Sequence, residues 1–93
     1  VPSGLGRMDI FLSYKGKKYI IETKVNRYDE LNVILEEGIT QVSGKYLPSE
    51  SVTEGYLVVF DAQKRVGTAC KPEYYQVGDK RVTGFIIAIG RPL

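Results

Sequence analysis

The sequence lacks histidine and contains a single cysteine, Cys70, among its 93 residues. The absence of histidine excludes Ser-His-Asp triads and histidine-ligated zinc sites. One cysteine cannot form an intrachain disulfide or a cysteine metal cluster. No apolar run approaches the ~20 residues that span a bilayer, and no signal-peptide pattern opens the chain. We therefore expect no membrane association, and a reducing, cytoplasmic location.

A strong charge of either sign is also missing. The 13 Lys and Arg residues against 11 Asp and Glu residues give a net charge of +2, which is too small to indicate nucleic-acid binding by itself. The length allows one small domain, so residues 1–93 are predicted to be a single domain. Because the chain begins at Val1 and not at methionine, we expect it to be a piece of a longer protein.

The amino-terminal part of the chain predicts a β-hairpin. Residues 8–14 and residues 17–24 read as two strands, whose successive side chains point to opposite faces. Between them, Lys15-Gly16 supplies a two-residue turn in which glycine tolerates a positive φ.

A helix comes next. Apolar residues recur at three- and four-residue spacing from Leu31 to Tyr46, with Asp29 as the predicted N-cap and Pro48 beyond the end. Gly38 in the middle of this helix predicts a bend or a close backbone contact, because glycine is unfavourable there without a packing reason.

The remaining segments predict strands. The continuous apolar run Gly55–Asp61 is typical of a strand buried on both faces. Residues 74–77 and 81–89 form a closing hairpin around Gly78-Asp79. The order β-β-α-β-β-β indicates an α/β fold with a mixed sheet, one crossover helix and a C-terminal β-hairpin spanning residues 70–93.

Three ionisable side chains share one face of the first hairpin. With Lys15-Gly16 as the turn, or with a four-residue loop there, Asp9 falls directly opposite Glu22. A turn at Gly16-Lys17 instead places Asp9 opposite Lys24, with Glu22 as the diagonal neighbour. In every register these three residues lie on the same side of the strands.

Two opposed carboxylates favour a shared cation. Their Cβ atoms lie about 5 Å apart, where like charges destabilise each other unless a cation is present. Mg²⁺ suits the site, since one or two carboxylates often hold it and water and phosphate complete its shell. Lys24 would stabilise a developing anion or help to deprotonate a metal-bound water. The alternative is a solvent-facing strand with a diagonal Glu22–Lys24 pair and an unrelated Asp9.

These residues resemble the PD-(D/E)xK nuclease superfamily. The matching motifs are Gly6-Arg7-Met8-Asp9, then Ile20-Ile21-Glu22-Thr23-Lys24, a helix with Gln41 and Tyr46, and the strand Gly55–Asp61. The form looks most like the domain at the C-terminus of bacterial and archaeal AAA-type ATPases. The likeness covers residues 4–61 and implies a restriction-endonuclease-like sheet, an Mg²⁺- or Mn²⁺-dependent nuclease, DNA as partner and an ATPase domain in the same longer chain.

The resemblance assigns roles to the hairpin residues. Asp9 and Glu22 would be the carboxylate metal ligands, and Thr23 would lend its main-chain carbonyl. Lys24 would position or activate the attacking water.

It also assigns roles outside the two strands. Gln41 would lie at the edge of the site, near the DNA backbone or an active-site water, with Tyr46 supporting it. Arg7 would meet a phosphate or serve a structural role.

The chain departs from the family pattern in four ways. Met8 replaces the proline of the family name, and Tyr46 comes five positions after Gln41 where related branches often show a spacing of four. The family core begins with a helix and a strand, yet only eight residues precede Asp9, so the chain is interpreted as a fragment of that core. No phosphate-binding loop of the G-x-x-x-x-G-K-[ST] type is present.

Three functions follow from the sequence. The first is a metal-dependent deoxyribonuclease. The second is an inactive nuclease-fold module that docks nucleic acid or protein, with homodimerisation through strand edges. The third is a single-strand-binding domain in which tyrosines such as Tyr74 and Tyr75 stack on bases.

Overall fold

The computed structural model describes residues 8–46, 52–78 and 80–91, with residues 8–12, 45, 46, 52, 53 and 80 described by their backbone alone. Over these ranges the chain forms five strands and one helix. Their bounds are β1 Met8–Tyr14, β2 Lys17–Asn26, α1 Leu31–Tyr46, β3 Val52–Arg65, β4 Glu73–Val77 and β5 Lys80–Gly90. The predicted order of elements is therefore confirmed.

The strands form one mixed sheet in the order β1-β2-β3-β5-β4. The two outer pairs, β1 with β2 and β4 with β5, are antiparallel hairpins. The inner pairs, β2 with β3 and β3 with β5, are parallel. Because a parallel pair needs a crossover, α1 connects β2 to β3 across one face of the sheet. The predicted α/β class, mixed sheet, crossover helix and C-terminal hairpin are confirmed.

Helix α1 covers the central strands through two groups of buried side chains. Ile20, Val42 and Val82 form one group, and Ile34, Leu35, Leu57 and Val59 form the other. Half-buried Ile39 packs against both groups. Together they form the apolar layer between the helix and the sheet.

Gly38 allows this close packing. A Cβ atom at Gly38 would lie 2.5 Å from Cδ1 of Leu57, well inside the 3.5–4.0 Å of an ordinary carbon–carbon contact. The close contact predicted at this glycine is therefore confirmed.

The start of the helix differs from the prediction. The main-chain carbonyl of Glu30 accepts the first helical hydrogen bonds, from the amides of Val33 (3.1 Å) and Ile34 (3.3 Å). The N-cap position therefore belongs to Glu30, and its assignment to Asp29 is wrong. Asp29 is held in the preceding turn, where its amide donates to Oδ1 of Asn26. The predicted stop at Pro48 lies outside the described residues.

The other face of the sheet carries no helix in the described part of the chain. Tyr19, Tyr56 and Phe85 stand there in a row across β2, β3 and β5, with ring centroids 6.3 and 6.2 Å apart. Phe85, Ile87 and Ile89 are 38–44% exposed. We call this surface the open face. The prediction that the Gly55–Asp61 strand is buried on both faces is therefore wrong, because Tyr56, Val58 and Phe60 are only half-buried.

Candidate active site

The first hairpin brings Asp9 and Glu22 together. Lys15 and Gly16 adopt φ values of 50° and 78°, the left-handed pair that a type I′ turn requires. The register then runs from Tyr14 opposite Lys17 to Asp9 opposite Glu22. The Lys15-Gly16 register is confirmed, and the alternative that places Asp9 opposite Lys24 is wrong. For Asp9 the structure describes only the backbone, so its place opposite Glu22 is given by the strand pairing.

Glu22 lies on the face of β2 that α1 covers. It is completely buried, as are Ile20 before it and Asn26 beyond it, and it interacts with a neighbouring group. A buried carboxylate without a partner would be costly, so this placement is a specific feature of the fold. The alternative of a solvent-facing charged strand is wrong for Glu22.

Lys24 is the next residue on the same face of β2. Its side chain is only 13% exposed, and its Nζ donates a hydrogen bond to Oε2 of Glu37 at 3.0 Å. Glu37 lies on α1 and its side chain is 55% exposed. The ion pair of Lys24 is therefore made across to the helix, and not diagonally to Glu22 along the strand.

Helix α1 runs antiparallel to β2, and this places Gln41. Glu37 contacts Lys24, while Val42 packs in one cluster with Ile20. Gln41 is one turn after Glu37, on the same side of the helix. It therefore lies between the levels of Lys24 and Ile20, over the part of the covered face that contains Glu22. Gln41 is half-buried and has an interaction partner.

Of the remaining predicted site residues, only Thr23 has a described side chain, and it lies on the opposite face of the sheet from this cluster. Thr23 pairs with Met8 in β1 and Val58 in β3, so its side chain belongs to the open face and its main-chain carbonyl lies within the sheet. Its role as a ligand stays a prediction. Arg7 lies outside the described residues. Tyr46 is the last residue of α1, and its side chain lies outside the described part.

The donors at this site suit a hard cation. Among the residues whose side chains are described, no group of three or more His, Cys, Asp or Glu residues could hold a metal. Mg²⁺ needs fewer, because one or two carboxylates suffice when water and substrate phosphate supply the other oxygens. Asp9 and Glu22 therefore fit Mg²⁺ or Mn²⁺ by number and chemistry.

A second buried polar cluster follows where the parallel pairing of β2 with β3 ends, at Asn26 and Asp61. Nδ2 of Asn26 donates to Oδ1 of Asp61 at 3.4 Å, and the same oxygen accepts from the amide of Gln63 at 3.0 Å. Nε2 of Gln63 donates to the carbonyl of Asp29 at 2.6 Å. These contacts fix the β2–α1 loop. They therefore also fix the part of β2 that Glu37 and Gln41 face. The sequence signal for this cluster is a polar residue directly after the apolar part of each of two neighbouring parallel strands.

The ion pair between Glu37 and Lys24 is the feature of this site that the sequence analysis did not predict. Its signal is the four-residue spacing from Glu37 to Gln41, since residues four apart share one side of a helix. A helix that presents Gln41 to β2 must present Glu37 to the same strand. The expected partner is then the residue next to Glu22 on the covered face, which is Lys24.

The tyrosines of the last hairpin do not form one platform. Tyr74 is exposed on the open face, whereas Tyr75 packs under α1. Burial, followed by the nearby charge of Glu73, raises the pKa of Tyr75. Tyr75 and Glu73 line a groove of about 340 Å³ beside the helix, together with Asn32, Leu35, Glu36 and Ile39. Tyr74 and Tyr75 therefore cannot stack on the same run of bases.

One tyrosine of the open face, Tyr56, is hydrogen-bonded to the carboxylate of Glu54. The hydroxyl of Tyr56 donates to Oε2 of Glu54 at 2.6 Å. That hydrogen bond, with burial and the charge of Glu54, raises the pKa of Tyr56 to about 12. Tyr56 therefore stays neutral throughout the physiological range and packs between Tyr19 and Phe85 as an uncharged ring.

Within the described ranges, no helix is long and apolar enough to cross a membrane. No protein-family model matches the chain, and no curated protein or solved structure matches it either.

Proposed function

We propose that this chain is a metal-dependent deoxyribonuclease domain of the PD-(D/E)xK type, with a restriction-endonuclease-like core, in a longer ATPase-linked protein. The observation that carries the proposal is the position of Glu22. Glu22 is buried on the helix-covered face, where it pairs directly with Asp9 and is followed on the same face by Lys24. Gln41 lies on the side of α1 that carries Glu37, the partner of Lys24. This cluster supplies two oxygen ligands, a cation and an amide.

Each residue has a distinct task in phosphodiester hydrolysis. Asp9 and Glu22 would hold Mg²⁺ or Mn²⁺, which when bound lowers the pKa of a coordinated water and offsets phosphate charge. Lys24 directs the N–H groups of its Nζ at the phosphate oxygens, where negative charge grows in the transition state. The Gln41 side-chain amide orients the attacking water or a neighbouring phosphate oxygen.

The covalent change is a substitution at phosphorus. A water oxygen bonds to phosphorus and the bond from phosphorus to the 3′ oxygen breaks. The proton released by the water ends on the 3′ oxygen. The products are a 5′-phosphate and a 3′-hydroxyl.

Cleavage assays test this function directly. The chain is incubated with supercoiled, linear and branched DNA in Mg²⁺ or Mn²⁺, beside Asp9→Asn, Glu22→Gln and Lys24→Met. These variants keep side-chain size while removing charge. Loss of cleavage in all three supports the proposal, and cleavage that survives in all three contradicts it.

A matched control separates chemistry from folding. Glu73→Gln and Lys71→Met remove the same charges at exposed positions of the last hairpin region and should cleave like the parent chain. Circular dichroism of each variant confirms that the sheet is intact.

The open face supports a second candidate function, a non-catalytic docking module. Parallel strands are normally covered on both faces, yet Phe85, Ile87 and Ile89 stay substantially exposed. Their apolar character favours a protein partner over nucleic acid. This function predicts no Mn²⁺ binding that depends on Asp9 and Glu22 in calorimetric titration. It also predicts association that Ile87→Lys abolishes.

A further inference from the structure

The ammonium group of Lys24 is held by an acid that comes from a different element. Lys24 lies on β2 and Glu37 on α1, and the Nζ–Oε2 distance is 3.0 Å. The pair forms when the helix docks on the sheet. The stem of Lys24 is largely covered, whereas Glu37 is 55% exposed. The ammonium group is therefore fixed where the covered face opens to solvent.

Stability does not account for this contact. An ion pair with a half-exposed carboxylate contributes little to the free energy of folding, because water screens it. Its main effect is on the direction of the lysine side chain. A lysine ends in a flexible four-carbon stem with three N–H donors, and without an acceptor nearby its ammonium group would sample many positions.

The geometry leaves Lys24 able to act on a second anion. Glu37 accepts from one of the three N–H donors, so two remain for a phosphate oxygen or a water. Gln41 lies one helical turn further on, on the same side of α1 as Glu37. Glu37 thus holds the ammonium group of Lys24 where the covered face opens to solvent, before a substrate arrives.

We propose that Glu37 is a positioning residue that fixes Lys24 for phosphodiester hydrolysis. The catalytic part of this inference rests on the proposed nuclease function, whereas the positioning of Lys24 can be measured without it. Orienting a reacting group in advance accelerates the chemical step more than it improves substrate binding. Loss of the Glu37 charge should therefore lower kcat about tenfold and leave KM within about twofold.

Lysine reactivity measures the positioning itself. The chain is treated with formaldehyde and a borohydride reagent without metal or DNA, and mass spectrometry follows dimethylation of Lys24. In Glu37→Gln, Lys24 should react at least about threefold faster, because the carboxylate no longer holds the amine. Glu36→Gln is the matched control, since it removes the adjacent exposed acid of α1 and should leave the rate of Lys24 unchanged.

Kinetics on DNA measure the consequence. If the parent chain cleaves, Glu37→Gln should show the loss in kcat, Glu36→Gln should not, and Glu37→Asp should restore part of it. Equal Lys24 reactivity in the two glutamine variants overturns the inference, and so does equal kcat. A change in Lys24 reactivity without cleavage by any form, the parent included, overturns the nuclease function and leaves the positioning of Lys24 supported.

Discussion

Replacing Gly38 with alanine is expected to lower the stability of the fold, even though alanine is the better helix former. The new Cβ would lie 2.5 Å from Cδ1 and 2.6 Å from Cδ2 of Leu57. Leu57 is completely buried, so it can move away only by displacing its neighbours in the core. The substitution therefore overpacks the layer between α1 and β3.

The size of the effect follows from two opposing terms. Alanine in place of glycine stabilises a helix interior by about 1 kcal/mol, while overpacking a well-filled core costs about 1–3 kcal/mol. The net expectation is a loss of about 1 kcal/mol. Gly44 in the same helix is the matched control, because a Cβ there meets no atom within 4 Å. Gly44→Ala should gain up to about 1 kcal/mol, so the two variants should differ by about 2 kcal/mol.

Urea unfolding followed by circular dichroism at helix and sheet wavelengths measures both variants. If Gly38→Ala is as stabilising as Gly44→Ala, the close approach to Leu57 does not limit the packing and the reasoning is refuted. A second comparison checks the cause. In a Leu57→Ala background, itself about 2–5 kcal/mol less stable, Gly38→Ala has room and should stabilise.

Two further predictions concern polar contacts. Glu54→Ala should return the pKa of Tyr56 from about 12 toward its ordinary value of 10.0, measured by the ultraviolet absorbance of the phenolate; an unchanged pKa would contradict the hydrogen-bond assignment. Because the folded-state pKa is raised, the stability that this contact provides is complete below pH 10.0 and lost as the pH rises toward 12. Asn26→Ala should cost about 2 kcal/mol in urea unfolding, since it leaves buried Asp61 short of a donor; a loss below about 0.5 kcal/mol would show that the contact is not needed.

The first hairpin is the part of the site that could be predicted from sequence. Its register depends on Lys15-Gly16, a local turn signal, and on alternation within the two strands. Both act over short distances along the chain, so the pairing of Asp9 with Glu22 needs no knowledge of the rest of the fold.

The burial of Glu22 could not be predicted in the same way. Which face of β2 receives α1 depends on how the helix packs against β3, and Leu57 and Gly38 decide that contact from distant parts of the sequence. The ion pair from Lys24 to Glu37 depends on the same docking. Alternation alone is compatible with either face being solvent-exposed, and for this reason a solvent-facing Glu22 remained an alternative.

Strand length and the helix start were also decided by tertiary contacts. Strand β2 continues to Asn26, beyond the predicted end at Lys24, because Asn26 pairs with Asp61 across the parallel ladder. Glu30 takes the N-cap position although its side chain is a poor cap. The competing residue, Asp29, is engaged by Asn26 and Gln63.

The arrangement of local hairpins around a parallel centre has a consequence for refolding. Residues 9–41 carry Asp9, Glu22, Lys24 and Gln41, and they can form a hairpin and a helix before β3 takes part. Strand β2 then keeps one edge unpaired until a segment 35 residues further on reaches it, as in the pairing of Ile21 with Tyr56. Non-local parallel pairing is slow, and an unpaired strand edge in a folding intermediate recruits other chains. Refolding yield should therefore fall steeply with protein concentration.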